Sequence, residues 1–302
     1  MHSSRVFFKI SDIFNHPLRN YKRFSGVKVE RNLVFDGRFG KFTKADIYYA
    51  PSDKPLPVFV NVHGGGFVCG DKKYRSGIAR LIASNGWFVV NVNYRLAPKY
   101  TYPAPTEDVI NALNFVNTLK DKYNIDTKKI VLSGDSAGGY YAAHAAAATF
   151  SPELRAMLNL PEYTGEKIRS LLTFCAPFNL EKCFTKKTPL GISTDITNCV
   201  FGTKFRGYGY EFPERQSSNV LNFVNKDWCE VFISAAERDS FCGGQVEAMK
   251  EKLEACGVKA QTYIASMKGD SHCSHLLPFM KGSKANMEAV LKYLEGIRNE
   301  KA

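Results

Sequence analysis

The chain has 302 residues, with 41 Lys and Arg against 29 Asp and Glu for a net charge of +12, and 44% of its residues are hydrophobic. That length and composition allow one large domain or two small ones around a substantial core, and they exclude wholesale disorder. No apolar run approaches the ~18 residues a membrane span needs, and Met1–Lys9 lacks the uninterrupted apolar stretch of a secretion signal.

In chain order, runs rich in Val, Ile, Phe and Tyr predict strands at Val27–Phe35, Thr43–Tyr49, Val58–Val62, Phe88–Asn93, Ile130–Ser133, Leu171–Cys175, Val231–Ala235 and Gln261–Ile264. Helical spacing separates the later runs. From Thr106, read as an N-cap, apolar residues fall at Val109, Leu113, Val116 and Leu119. From Gln245 they fall at Val246, Met249, Leu253 and Cys256, with Gly257 as a stop. The last helix carries Met287, Val290, Leu291, Leu294 and Ile297. Two early strands able to pair directly, then strands alternating with helices, predict an α/β fold with a mostly parallel central sheet flanked by helices. Ile10–Phe24 and the aperiodic stretch Phe178–Phe223 fall outside that alternation. So long a structureless loop is rare inside a compact domain, and the second segment is read as an inserted lid-like element against which the first packs. No amphipathic membrane-surface helix is read in the sequence.

Gly134-Asp135-Ser136-Ala137-Gly138 follows a β-branched run and opens an alanine-rich helical stretch, which is G-x-S-x-G in a strand–turn–helix context. So sharp a turn strains the serine and leaves no room for side chains at the flanking positions. It holds the hydroxyl up at the carboxyl edge of the sheet, where it can attack a carbonyl. His63-Gly64-Gly65-Gly66-Phe67 follows the strand Val58–Val62. A glycine triplet there frees backbone N–H groups for an oxyanion. No phosphate-binding glycine pattern accompanies it, and His63 is read as fixing the loop.

These two motifs, with Tyr94-Arg95-Leu96-Ala97-Pro98 between them, resemble the hormone-sensitive-lipase-like family of α/β-hydrolase carboxylesterases. They occur in that family's order, with Ser136 73 residues after His63. The resemblance covers roughly Val58 to the C-terminus. It implies the α/β-hydrolase fold as a single domain over residues 1–302, with a small cap built from roughly 1–26 and 178–223. It also implies a Ser–Asp–His triad and an oxyanion hole formed by Gly65, Gly66 and the N–H of Ala137. Arg95 and Asp135 are then structural ions, and the Glu107–Asp108 pair a helix-start feature.

The fold orders its triad as serine, acid, histidine. Asp239 stands at the family's acid position just past the strand Val231–Ala235, with Glu237 as the competitor nearer the strand end. The family's usual Asp-Pro-Leu is here Asp239-Ser240-Phe241. Beyond the last strand lie His272 and His275. The Gly-, Ser- and Lys-rich segment Ser266–Ser274 reads as a loop, whereas Leu276, Leu277, Pro278 and Phe279 read as chain re-entering the core, so His272 is taken as the base. It stands 33 residues past Asp239, against 36 for His275. The family's His-Gly-Phe is here His272-Cys273-Ser274.

The nearest of the eight cysteines, Cys175 and Cys183, are eight residues apart, so no C-x-x-C metal or redox spacing exists. Reduced thiols in a cytoplasm are expected. The lysines are scattered among acids and turns, which reads as a solvated surface rather than a nucleic-acid groove. The expectation is a cytoplasmic serine esterase that needs no metal or cofactor. It would act on small, short-acyl esters, with neither nucleic acid nor membrane as partner. An amide- or formamide-cleaving relative and a non-catalytic small-molecule-binding protein on the same scaffold are the alternatives.

Overall fold

The apolar runs pair into one eight-stranded sheet, in a computed structural model that describes residues 2–300. The strands are β1 (Lys28–Val34), β2 (Lys44–Tyr49), β3 (Leu56–Val62), β4 (Phe88–Val92), β5 (Ile125–Asp135), β6 (Ser170–Phe174), β7 (Glu230–Ala236) and β8 (Ala260–Ala265). Their spatial order is β1-β2-β4-β3-β5-β6-β7-β8. β1 pairs antiparallel with β2 and β2 antiparallel with β4, while every later pairing is parallel. This is the mostly parallel α/β sheet that the alternation of elements predicts, in the α/β-hydrolase architecture that the family resemblance implies.

Nine helices complete the described chain: α1 (Ser3–Asn20), α2 (Ser76–Ser84), α3 (Ala104–Leu119), α4 (Ala137–Phe150), α5 (Pro152–Met157), α6 (Leu180–Phe184), α7 (Ile192–Phe201), α8 (Val246–Ala255) and α9 (Lys281–Asn299). The central strands are apolar on both sides because helices cover both faces. Val58, Val60, Val62, Ile130, Leu132, Leu171 and Ile233 join one core with residues of α3, α4 and α8. Phe59, Val131, Leu172 and Phe232 alternate to the other face and meet α2 and α9. A two-residue period thus sorts each strand between two layers.

Two details correct the sequence reading. Helix α3 starts at Ala104, with Pro105 in its first turn, so Thr106 lies inside the helix rather than capping it. The Thr106 hydroxyl instead lies 2.9 Å from Nδ1 of the buried His144 on α4. Second, a strongly amphipathic surface helix does exist: α1 occupies most of the N-terminal segment left outside the alternation, with Phe7, Ile10, Phe14 and Leu18 exposed along it.

The segment between β6 and β7 folds into α6, α7 and a 3₁₀ turn at Val220–Phe223. Helix α1 lies against it: the backbone N–H and hydroxyl of Ser4 donate to Asp195 on α7, at 2.9 and 2.6 Å. Both segments thereby meet at the carboxyl edge of the sheet.

Candidate active site

The turn from β5 into α4 carries Ser136 at φ 51°, ψ −122°, a conformation that costs an L-residue strain. The glycines make the turn possible. A side chain at Gly138 would collide with the carbonyls of Val62 and His63, so only glycine lets α4 start this close to β3. The Ser136 hydroxyl lies 2.9 Å from Nε2 of His272. Nδ1 of the same ring lies 2.9 Å from Oδ2 and 3.0 Å from Oδ1 of Asp239. Three residues from three loops at the sheet edge thus form one hydrogen-bonded chain.

Each member is held from behind. The Asp239 carboxylate also accepts the N–H groups of Phe241 and Cys242, both at 2.9 Å. Burial by itself pushes that carboxyl up, but the His272 bond and charge, with these two N–H groups, outweigh it and hold the pKa below the ordinary value. For His272, burial by itself pulls the pKa down, and the bond to and charge of Asp239 override it, so the net shift is upward. The Phe241 ring stands 5.0 Å from the imidazole and walls it on one side.

His275 is elsewhere. Its ring stacks on Phe174 with centroids 4.0 Å apart, its Nε2 has no partner among the described residues, and burial pulls its pKa down to about 3. Glu237 points to solvent. Asp270, near His272 in sequence, accepts the N–H of Met267 and abuts Gly282 at the start of α9.

The glycine loop lies opposite. Gly64 donates its N–H to Asp135, while the N–H groups of Gly65, Gly66 and Ala137 have no acceptor among the described residues. Gly65 and Gly66 sit at φ 146° and 60°, which glycine adopts readily, and both line the cavity over Ser136. His63 anchors the loop's base: its ring stacks on Tyr94 at 4.5 Å, and the Tyr94 hydroxyl donates to the His63 carbonyl at 2.7 Å. Arg95 and Asp108 form a buried ion pair at 2.8 Å, away from Ser136.

The sequence reading missed Arg75. Its Nε and Nη2 each lie 2.7 Å from an oxygen of Asp135, and both residues are buried. Burial opposes the Asp135 charge, and Arg75 overrides it, holding the carboxyl far below the usual range. Asp12 of α1 joins this chain through Arg19 at 2.7 Å and Arg75 at 3.5 Å. No local signal marks these residues, since the partners are separated by up to 63 positions.

A cavity of about 250 Å³ opens on Ser136 and His272, bounded by Gly65, Gly66, Phe7, Phe8 and Phe241. The site also gathers thiols: Cys175, His272 and Cys273 place potential ligand atoms within 4.8 Å of one another, as do Asp239, Cys242 and His272. Both groups share His272, whose two nitrogens are already engaged by Ser136 and Asp239. Such an arrangement is built to move a proton from a hydroxyl and to bind an anion formed beside it.

A family model described as BD-FAE matches residues 45–253. Over 125 residues the chain is 40% identical to probable carboxylesterase 6 of Arabidopsis thaliana, a match covering 37% of each chain. Over 116 residues it is 39% identical to esterase LipI of Mycobacterium tuberculosis, covering 37% of this chain and 36% of that one. These matches span little more than a third of the curated relatives' length. Among solved structures, esterase B from Lactobacillus rhamnosis superposes with a TM-score of 0.82 at 17% identity, covering 98% of this chain and 95% of that one. A bacterial heroin esterase gives 0.77 at 21% identity, covering 99% and 93%. At these identities the solved structures share the fold.

Proposed function

The chain belongs to the BD-FAE family and is a hormone-sensitive-lipase-like α/β-hydrolase, and from that premise we propose that it is a serine carboxylesterase acting on short-acyl carboxylic esters. Ser136 is the nucleophile, His272 the general base and Asp239 the residue that fixes the imidazole tautomer. Gly65, Gly66 and Ala137 supply the oxyanion hole. The observation that carries this reading is the unbroken chain from Ser136 Oγ through His272 to Asp239, facing three unclaimed N–H groups.

The geometry supports the following course. His272 Nε2 takes the Ser136 proton as Oγ adds to the ester carbonyl. The oxyanion is received by the backbone amides, at the start of α4, where the helix dipole favours negative charge. Collapse expels the alcohol, which takes the proton from His272, and leaves an acyl-enzyme on Ser136. Water then repeats the sequence and frees the acid.

The short-acyl preference rests on the size of the cavity and on the aromatic side chains that bound it. We read residues 1–302 as one domain whose cap comprises roughly 1–26 and 178–223, the two segments that meet through Ser4 and Asp195. The compartment read is the cytoplasm, in keeping with eight unpaired thiols. No described helix is long and apolar enough to cross a membrane. Turnover of aryl esters of increasing acyl length, with Ser136→Ala as control, tests the reading. Activity should peak at short chains and vanish in the variant; a variant as active as wild type overturns it.

A further inference from the structure

Helix α1 packs with its polar side inward. Its buried residues are Ser4, Asp12 and Asn20. Ser4 is bonded to Asp195, Asp12 to Arg19 and Arg75, and Asn20 accepts the Ser76 hydroxyl and the Gly77 N–H. Phe7, Ile10, Phe14 and Leu18, spaced at helical intervals, are left facing outward with Ile13 and Tyr21 beside them. Phe14 is 75% exposed and Ile10 50%. The helix cannot roll over to bury this stripe, because rolling would strip Asp12 and Asn20 of partners inside the protein. An ordinary surface helix has the opposite polarity. A contiguous apolar face of this kind is informative in a way that single exposed side chains are not.

The exposed charges on α1 and just past its C-terminal end have one sign. Arg5, Lys9, Lys22 and Arg23 are exposed, and the sole acid among residues 2–29 is the buried Asp12. An exposed apolar helix face accompanied by exposed cations on and beside the same helix is the pattern of a helix lying in the headgroup region of an anionic bilayer. A second copy of the chain is a poor occupant, since it would bring the same four cations face to face. The location adds a consequence. Phe7 and Phe8 of this helix also border the cavity over Ser136. A bilayer seated on α1 would lie beside the entrance to the site.

We infer that α1 is a docking surface for anionic phospholipid bilayers, holding the cavity mouth against the lipid surface without spanning it. Binding needs no catalysis, so the test is independent of the esterase reading. The full chain is co-sedimented with vesicles of equal parts phosphatidylglycerol and phosphatidylcholine, and with vesicles of phosphatidylcholine alone. Partitioning should be at least about tenfold stronger on the anionic vesicles and should fall as salt is raised. Ile10→Ser/Phe14→Ser should weaken it at least about tenfold with an unchanged thermal melt, because both side chains already face solvent. Lys9→Glu/Lys22→Glu should abolish the preference for the anionic lipid. Absence of binding to the anionic vesicles, or equal binding by the serine double variant, overturns the inference. So does a wild-type dimer that the same double variant dissociates while neither protein binds vesicles.

Discussion

The ring of His275 lies flat on that of Phe174, centroids 4.0 Å apart and planes 11° from parallel, three positions along from the imidazole that touches Ser136. One histidine is core and the other reaches the sheet edge. His272→Ala should remove ester turnover to the ~10³–10⁴-fold residual that the oxyanion hole and binding supply on their own. His275→Ala should keep turnover at moderate temperature and lose about 3 kcal/mol of stability through the cavity it leaves. Side-by-side kinetics and denaturant melts separate the two. A dead His275 variant beside a working His272 variant would reverse the assignment.

The Asp239 contact sets a pH dependence. The base must be neutral to accept the serine proton, and the His272 pKa is raised. Activity should therefore fall on the acid side at a pH above the ~6.5 of a free imidazole. Asp239→Asn removes the raising influence and leaves burial, which acts downward. Its acid limb should move to lower pH while kcat drops about 10⁴-fold through the wrong tautomer. A kcat profile over pH, measured for both proteins, reads the two effects separately.

Arg75 and Asp135 make a stability prediction. Arg75→Ala leaves Asp135 charged and buried without its partner, which costs about 3–5 kcal/mol. The Asp135 pKa is depressed in the folded state, so the pair's contribution is complete above the ordinary aspartate value of ~3.9 and fades as pH falls through the folded value. Acid unfolding of Arg75→Ala should accordingly show a smaller loss of stability across that window. Turnover should fall as well, because Asp135 holds the Gly64 N–H beside the glycine loop.

Strain at the elbow is measurable. Ser136→Ala keeps a side chain at φ 51°, whereas Ser136→Gly relieves it. Both variants should be inactive, and the glycine variant should unfold at higher denaturant by about 1 kcal/mol net of glycine's greater chain entropy. Equal melts for the two would show that the turn is unstrained.

The amino-acid order alone determined the features that depend on neighbours along the chain. Runs of β-branched and aromatic residues placed all eight strands to within about two residues at each end, apart from an earlier start of β5 at Ile125, because burying both sheet faces demands such runs locally. The glycines around Ser136 and after His63 were legible because a sharp turn and freed backbone amides each call for residues without a Cβ. Asp239 was named from the acid position of the family the motifs resemble and His272 from loop composition, and the choice between His272 and His275 rested on where the chain re-enters the core. The tertiary structure alone decided what depends on partners distant in sequence. Arg75 finds Asp135 across 60 positions, and Asp12 joins them from the N-terminal helix. The same pairing decided which way α1 faces. The sequence reading left Ile10–Phe24 outside the alternation; in the structure the charges beneath α1 needed its polar side, and so its apolar side was turned to the outside.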